Sequence, residues 1–291
     1  MTYRELYEYG KCRLAKAGIV EAGLDARLLL EYVCHSDRNE LILYADRERS
    51  NMEEQFYKMV IEKRASRIPL QHITGEQEFM GLSFQVNEHV LIPRQDTEIL
   101  VEEAMRHLSD GMRILDLCTG SGCILLSLLK YSNECEGIGI DISEEALKKA
   151  QENAQRLHID AVFLAGDLFE PLTDFVSDRT SDRLFDMIVS NPPYIEIAEI
   201  DTLMPEVREH EPICALDGGE DGLQFYRKII AKAPEYMRKG AVLLFEIGCG
   251  QGQAVVHLMR EAGFVEVEIF QDYAGLDRVV CGVKSSSDET K

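Results

Sequence analysis

The chain of 291 residues lacks several features that would place it in a specialised class of protein. No uninterrupted apolar run is long enough to span a bilayer, and the segment Met1 to Glu5 has no apolar signal core. The eight cysteines form no C-x-x-C pair, and histidine and cysteine do not cluster as zinc ligands do. We therefore expect a cytoplasmic protein with reduced thiols, no membrane segment and no bound metal.

Basic side chains are scarce relative to acidic ones. The chain has 31 lysines and arginines against 52 aspartates and glutamates, which gives a formal net charge of −21. Such a surface repels the phosphate backbone of nucleic acids and favours cationic or weakly charged partners. The short basic cluster between Lys58 and Arg67 is typical of a helix C-terminus. We predict no direct nucleic-acid partner.

What the chain does contain is a change of pattern along its length. Up to about residue 70 the apolar residues recur at helical spacing, so residues 1–72 are predicted to form a small helical domain, with substrate recognition as its hypothetical role. Two short apolar runs at 78–86 and 89–92 predict a β-hairpin, which makes residues 73–95 a linker.

The remainder alternates strand and helix patterns, which predicts one α/β domain at residues 96–284. Alternation of this kind is typical of a mainly parallel sheet with helices on both faces. The last two strand patterns, 265–270 and 278–283, lie too close together for an intervening helix, so one late strand is expected to run antiparallel. Residues 285–291 are predicted to be a disordered tail.

The most informative motif is Asn191-Pro192-Pro193-Tyr194, which directly follows the apolar run 185–190. The run predicts a strand, and the carboxyl ends of strands are where open α/β sheets bind ligands. The amide offers an acceptor and donors, the prolines fix rigid carbonyls, and the tyrosine adds a flat face. Such a corner can hold a planar NH₂ group, although Asn and Pro are also common in plain turns.

A second motif, Asp116-Leu117-Cys118-Thr119-Gly120-Ser121-Gly122, links the first predicted strand of the sheet to its first helix. Gly120 and Gly122 allow a tight turn and a close approach of the backbone to a ligand. The motif is neither the full G-x-G-x-x-G of dinucleotide folds nor a phosphate loop with its lysine. We therefore expect a cationic or amino-bearing ligand near Asp116 instead of a pyrophosphate.

Two further acids end the next two strands. Asp141 stands where a nucleotide-binding sheet places the carboxylate that accepts ribose hydroxyls. Asp167 lies beside Leu168 and Phe169, which can cover an adenine ring. Each acid alone is typical of a helix cap or a turn. Three acids at successive strand ends beside a glycine turn predict a site for an adenosine that carries an amino acid, which describes S-adenosylmethionine better than NAD or ATP.

Together these motifs resemble the class I S-adenosylmethionine-dependent methyltransferases that act on a planar nitrogen. The segments Leu91-Ile92-Pro93-Arg94-Gln95-Asp96-Thr97-Glu98 and 211–219 resemble the PrmC/HemK family more narrowly, and the resemblance covers nearly the whole chain. It implies a Rossmann-like methyltransferase sheet with S-adenosylmethionine as cofactor. It also implies methyl transfer to the side-chain nitrogen N5 of the glutamine in the Gly-Gly-Gln loop of class 1 peptide chain release factors.

The resemblance also implies roles for individual residues. Asp167 is added to this set because it follows a predicted strand beside the other acids. The predicted cofactor-binding residues are then Cys118, Thr119, Gly120, Ser121, Gly122, Asp141, Asp167, Leu168 and Asn191. The residues implied to hold the substrate glutamine are Asn191, Pro192, Pro193 and Tyr194. For catalysis we expect the Asn191 oxygen and the Pro192 carbonyl to accept the two amide hydrogens, with Tyr194 packed on the amide plane.

Two positions depart from the family's pattern, because Gln95 stands where a second proline is expected and Leu168 where an aromatic is expected. Three alternatives stay open. They are a methyltransferase for a ribosomal-protein glutamine, one for an exocyclic amine of adenine or guanine in nucleic acid, and a cofactor-binding adaptor without activity. The acidic charge argues against the second alternative, and the intact Asn191 corner argues against the third.

Overall fold

The computed structural model describes residues 1–173 and 184–286. The chain divides into two compact units, one formed by Met1–Glu76 with Met204–His210 and the other by Gln77–Leu203 with Glu211–Lys291. Met204–His210 lies within the range that the sequence assigns to the second domain, yet it belongs to the helical unit. Most of the predicted tail, 287–291, lies outside the described residues. In the described part of the chain, no helix is long and apolar enough to cross a membrane.

The first unit is helical. Its helices are α1 (Tyr3–Lys16), α2 (Ala22–Cys34), α3 (Arg38–Leu43), α4 (Asn51–Ala65) and α5 (Leu70–Thr74), with a further turn at Pro205–Arg208. Capping boxes begin two of them, since Thr2 pairs with Glu5 at α1 and Ser50 with Glu53 at α4. Inside the unit the Tyr57 hydroxyl donates to the Ala26 carbonyl at 2.9 Å, which ties α4 to α2.

A buried charge cluster holds the separate segment of this unit in place. Arg64 donates to Asp25 at 2.7 Å and to Glu206 at 3.1 Å, and Arg67 donates to the same Glu206 oxygen at 3.1 Å. The side chains of Arg64 and Asp25 are about nine-tenths buried. Buried charges of this kind depend strongly on their partners, because an unpaired one lacks both water and a counter-charge.

The second unit begins with a β-hairpin, which differs from the predicted one. Its strands are β1 (Glu76–Phe79) and β2 (Leu82–Gln85), joined by Met80 and Gly81, which both have positive φ as a tight two-residue turn requires. The run 78–86, predicted to be a single strand, therefore contains the end of β1, the turn and all of β2. The predicted second strand at 89–92 is wrong, because this segment is irregular, with Val90 and Ile92 buried.

In the described residues, seven strands form one sheet. They are β3 (Arg113–Leu117), β4 (Glu136–Asp141), β5 (Val162–Ala165), β6 (Phe185–Ser190), β7 (Met237–Glu246), β8 (Phe264–Gln271) and β9 (Asp277–Lys284). Their spatial order is β5-β4-β3-β6-β7-β9-β8, and β9 is antiparallel to both of its neighbours. The predicted parallel sheet with one late antiparallel strand is therefore confirmed.

Helices cover both faces of this sheet. One apolar cluster contains side chains of α6 (Gln95–Arg106), α7 (Cys123–Lys130) and α8 (Glu144–Leu157), and the other contains side chains of α9 (Gln224–Lys232) and α10 (Gly252–Glu261). Alternate residues of β3 face opposite clusters, with Ile114 in the first and Leu115 and Leu117 in the second. Strand order reverses between β3 and β6, so the crevice of the sheet opens at their carboxyl ends.

The buried charge cluster of the helical unit generates a stability prediction. We expect Arg64→Leu to lower the free energy of unfolding by about 3 kcal/mol or more, because it leaves the buried Asp25 without its cation and Glu206 with Arg67 alone. Arg13→Leu is the matched control, since Arg13 pairs with Glu62 at 2.7 Å in an exposed position and should cost below about 1 kcal/mol. Urea denaturation followed by circular dichroism measures both, and equal losses would contradict the prediction.

Candidate active site

A cavity of about 660 Å³ lies at the carboxyl ends of β3, β4, β5 and β6. This volume is within the usual range for a small-molecule or cofactor site. Each of these four strands contributes at least one residue that the sequence analysis singled out. The residues from these strand ends that line the cavity are Cys118, Gly120, Asp141, Asp167, Leu168, Asn191 and Pro193.

The glycine turn is held by the sheet itself. Gly120 and Gly122 have φ of 55° and 78°, and Cys118 also has a positive φ of 61°. The Gly120 N–H donates to Asp141 Oδ2 at 2.9 Å, and within the described residues no atom beyond Gly120 and its chain neighbours lies within 4 Å of the position that a Cβ would occupy on Gly120. The backbone of Gly120 is therefore open to a ligand. Thr119, Ser121 and Gly122 belong to the turn but do not line the cavity.

Asp141 is oriented by backbone donors on both of its oxygens. Oδ2 accepts from Gly120, as above, and Oδ1 accepts from the Ser143 N–H at 2.9 Å. Burial raises the pKa of Asp141, and the hydrogen bonds from the backbone oppose that rise. Each carboxylate oxygen has a second acceptor site, so the group can still receive hydroxyl donors from the cavity.

Asp116 is not part of the cavity wall, contrary to the expectation from the sequence. It faces the same side of β3 as Ile114 and is fully buried, with Oδ2 accepting from the Thr119 hydroxyl at 2.6 Å. Burial raises its pKa to about 7. Asp116 therefore supports the glycine turn through Thr119 and does not border the cavity.

The residues after β5 separate into two groups. Asp167 and Leu168 line the cavity, and Asp167 forms an ion pair with Lys228 of α9 at 3.7 Å. Phe169 turns away and stacks on Tyr236, with ring centroids 4.7 Å apart and an interplanar angle of 18°. Of the two side chains expected to cover an adenine, only Leu168 borders the cavity.

The Asn-Pro-Pro-Tyr corner presents two of its four residues to the cavity. Asn191 and Pro193 line it, whereas Pro192 and Tyr194 do not. The Asn191 Nδ2 donates to the Thr97 hydroxyl at 3.3 Å, so the amide nitrogen is engaged and the oxygen is left as the free acceptor. The Tyr194 hydroxyl donates to Glu246 Oε1 at 3.3 Å.

Tyr194 is enclosed by the backbone of Gly218, which lies in the family-like segment 211–219, and of Gly222. A Cβ on Gly218 would lie 2.7 Å from Tyr194 Cα, so only glycine permits this approach. The Gln251 side-chain NH₂ donates to the Tyr194 carbonyl at 2.9 Å and to the Gly222 carbonyl at 3.3 Å. The glycines between 217 and 222 were a usable signal, because such spacing often marks close backbone contacts.

The segment after the corner also contributes to the wall, through Ile197, Ile213, Cys214, Asp217 and Glu220 among others. The part of this segment that begins at Glu211 is anchored by an ion pair, in which the half-exposed Arg94 donates through Nη2 to both oxygens of Glu211 at 2.7 and 2.6 Å. The Glu211 side chain is only 1% exposed. Charge-assisted hydrogen bonds to a buried carboxylate are strong, so this ion pair anchors the wall residues that follow Glu211.

Comparison with known proteins identifies the group to which the chain is related. The PrmC N-terminal domain model matches residues 5–75, and a methyltransferase domain model matches residues 108–246. A protein from Geobacter sulfurreducens named release factor glutamine methyltransferase is 42% identical over 281 residues, 97% of this chain and 96% of the relative. A protein of the same name from Caulobacter vibrioides is 42% identical over 289 residues, 98% of this chain and 97% of that relative.

The chain belongs to the release factor glutamine methyltransferase family. The predicted resemblance to the PrmC/HemK family is thereby confirmed, and so is the prediction of an S-adenosylmethionine-dependent methyltransferase. Among solved structures, a methyltransferase from Pyrococcus furiosus aligns with a TM-score of 0.54 at 16% identity, covering 77% of this chain and 99% of the other. That likeness concerns the fold, and it confirms the predicted Rossmann-like methyltransferase sheet.

The close packing around Tyr194 generates a prediction for this methyltransferase. We expect Gly218→Ala to lower the methyl-transfer rate by about 100-fold, because the added methyl group displaces the corner by a fraction of an ångström or more. Gly250→Ala is the matched control, since nothing lies within 4 Å of its Cβ position. Steady-state kinetics on both variants, with melting temperatures, tests this. Equal kcat for the two variants would show that the contact does not matter.

Proposed function

We propose that the enzyme transfers a methyl group from S-adenosylmethionine to N5 of the glutamine in the Gly-Gly-Gln loop of class 1 peptide chain release factors. The observation that carries this proposal is the orientation of Asn191. Its NH₂ group is held by Thr97 at 3.3 Å, which leaves its oxygen as an acceptor on the cavity wall. A fixed acceptor is what an incoming carboxamide NH₂ requires.

The cavity is chemically suited to S-adenosylmethionine. Asp141 retains acceptor capacity for ribose hydroxyls, and the open backbone at Gly120 permits close approach of a ligand. The acidic groups Asp141, Asp167, Asp217 and Glu220 line the cavity together with Lys228, an excess of acid that favours a ligand carrying cationic sulfonium and amino groups. We assign cofactor binding to Cys118, Gly120, Asp141, Asp167, Leu168 and Asn191, with Thr119, Ser121 and Gly122 shaping the turn.

The chemical difficulty lies in the substrate, because the lone pair of a carboxamide nitrogen is delocalised. When bound, S-adenosylmethionine supplies an activated methyl group on its sulfonium. The Asn191 oxygen and the Pro192 carbonyl accept the two hydrogens of the glutamine NH₂ and turn its nitrogen toward that methyl group. Pro193 borders the cavity beside the amide, and Tyr194 supports the corner through its hydrogen bond to Glu246. Asp141 and the glycine turn would hold S-adenosylmethionine as the methyl donor, and the glutamine nitrogen held by Asn191 would give up its proton to solvent or a backbone carbonyl.

The segment 195–221 at the cavity is where we place the approach of the release factor's loop. This part of the chain is rich in aspartate and glutamate, and acidic surfaces attract basic partners. The ion pair between Arg94 and the buried Glu211 anchors the residues that follow Glu211, so the partner meets a preformed surface there.

The proposed role of Asn191 predicts the behaviour of one variant. Asn191→Ala should lower kcat by about 100- to 1,000-fold, the range seen when one preorganised polar contact of a reacting group is removed. Its affinity for S-adenosylmethionine, measured by calorimetry, should change far less. Asn133→Ala serves as the control, since Asn133 makes an exposed contact to Asp110 at 3.2 Å. Near-normal turnover by Asn191→Ala would refute the mechanism.

The substrate itself is tested by incubating the enzyme with labelled S-adenosylmethionine and a folded release factor. Its Gln→Ala loop variant, ribosomal proteins and total RNA are incubated in parallel. Mass mapping should find one methyl group on the loop glutamine and none on the variant. Label in ribosomal protein or RNA would support the corresponding alternative instead. Label in none of them, despite binding of S-adenosylmethionine, would support the adaptor alternative.

We further propose that the helical unit recognises the release factor, with domain boundaries near residues 72 and 95. Three apolar side chains of α4 that share one face, Met52, Phe56 and Met59, are exposed to solvent. The Tyr32 ring lies beside Phe56, with centroids 6.2 Å apart. Contiguous exposed apolar groups of this kind often mark a protein interaction surface.

Replacing part of this apolar face should affect recognition and not chemistry. We expect Met52→Ser combined with Phe56→Ser to raise the KM for the release factor by about 5-fold or more, with kcat unchanged. The control is Val265→Ser, which changes an exposed apolar residue of β8 in the other unit. An unchanged KM in the double variant would remove the argument for recognition by this face.

A further inference from the structure

The first and last residues of the Asn-Pro-Pro-Tyr corner, Asn191 and Tyr194, both lie near the buried carboxylate of Glu246. Ser190 pairs with Phe245 in the parallel ladder of β6 and β7, so Asn191 and Glu246 follow at matching positions of neighbouring strands. The Tyr194 hydroxyl donates directly to Glu246 at 3.3 Å. Asn191 donates to the Thr97 hydroxyl at 3.3 Å, and that hydroxyl lowers the pKa of Glu246, so it lies close to the carboxylate.

The donor and acceptor roles in this series of hydrogen bonds decide whether the Asn191 oxygen or the Asn191 nitrogen faces the cavity. An asparagine amide has similar shape in its two flipped orientations, so its neighbours determine which one is adopted. A threonine hydroxyl has one proton, and an ionised carboxylate only accepts. An ionised Glu246 attracts the Thr97 proton, in keeping with the lowering of the Glu246 pKa by Thr97, and the Thr97 oxygen accepts from the Asn191 NH₂. The Asn191 oxygen then faces the cavity.

We propose that Thr97 and Glu246 are positioning residues, which fix the Asn191 amide with its oxygen toward the substrate. The inference rests on the proposed function of Asn191 and deepens it. Neither residue lines the cavity, and both are buried, with Thr97 2% and Glu246 1% exposed. They therefore act through Asn191 and Tyr194.

The burial of Glu246 is costly and is only partly compensated. Its nearest cation, Arg278, is committed to two other carboxylates, Asp272 at 3.1 Å and Asp96 at 3.2 Å. Burial raises the pKa of Glu246 to about 7, while Thr97, the charge of Arg278 and the Tyr194 hydroxyl lower it and the charge of Asp96 raises it. A carboxylate placed at this cost behind the corner is consistent with a role in orienting it.

A dependence on pH follows from the same hydrogen bonds. When Glu246 is protonated, it donates to Thr97, and the Thr97 proton is then available to the Asn191 oxygen. That change takes the acceptor away from the substrate. With both substrates saturating, kcat should therefore fall as the pH drops through about 7. Asp116 has a similar pKa but lies under the cofactor turn, so its protonation should appear in the KM for S-adenosylmethionine.

The experiment compares Thr97→Val, Thr97→Ser and Glu246→Gln with wild type, using a folded release factor as substrate. We expect Thr97→Val to lose about 10- to 100-fold in kcat, with the affinity for S-adenosylmethionine unchanged by calorimetry. Thr97→Ser keeps the hydroxyl and should stay within about 3-fold of wild type. Glu246→Gln should lower kcat and abolish its dependence on pH near 7.

The control for Glu246→Gln is Glu103→Gln, which neutralises another buried carboxyl, on α6, that is paired with Arg106 at 3.2 Å. It should leave the pH profile of kcat unchanged. A normal kcat in Thr97→Val, or an unaltered pH profile in Glu246→Gln, would overturn the inference. If Thr97→Val does not fold, the profile of Glu246→Gln decides.

A readout independent of methyl transfer separates this inference from the proposed function. In nuclear magnetic resonance, the Asn191 side-chain NH₂ should exchange its hydrogens with solvent several-fold faster in Thr97→Val than in wild type, because its acceptor is gone. If exchange is faster in Thr97→Val but the wild type is inactive on release factors, the proposed function is refuted and the positioning of Asn191 by Thr97 still holds. If exchange is unchanged in Thr97→Val and the wild type is active, only the positioning of Asn191 by Thr97 is refuted.

Discussion

The adjacency of β3 and β6 is the constraint on which the site depends. These strands come far apart in the chain but pair directly, with Leu117 opposite Ser190. The Ser190 hydroxyl donates to the Leu117 carbonyl at 2.7 Å in a fully buried position. Their carboxyl ends are thereby held at a fixed separation. The glycine turn follows one strand and Asn191 follows the other, so both border a common cavity, where we propose that methyl donor and acceptor meet.

Much of this arrangement was predictable from the sequence, because it follows from local pattern and from the rules of parallel sheets. Apolar runs located the strands, and polar or glycine residues immediately after them located the cavity wall. Asp141, Asp167 and Asn191 were found in this way, since side chains at the carboxyl ends of neighbouring parallel strands must converge. The late antiparallel strand followed from the short spacing between β8 and β9.

The remainder depends on contacts that no local pattern encodes. Asp116 and Asp141 both lie at the carboxyl ends of strands. The side chain of Asp116 projects from the face of the sheet that packs against α7, whereas Asp141 is the last residue of β4 and borders the cavity. The hairpin was misplaced because the apolar run through Met80 and Gly81 gives no sign of the reversal, which requires two residues with positive φ. Thr97, Glu246 and Gln251 were missed because each acts on the corner from a distant part of the chain.

The discontinuous make-up of the helical unit bears on how the two units can be separated. The chain crosses between them after Glu76, after Leu203 and after His210, so the segment 204–210 is anchored at both ends. Cutting the chain near residue 76 would not yield two intact pieces. The larger fragment would keep Glu206 without Arg64 and Arg67, with a stretch of backbone stripped of its packing partner. The helical unit is thus an integral part of the chain's architecture, and any natural exchange of this unit between relatives would have to replace two separate stretches of the gene together.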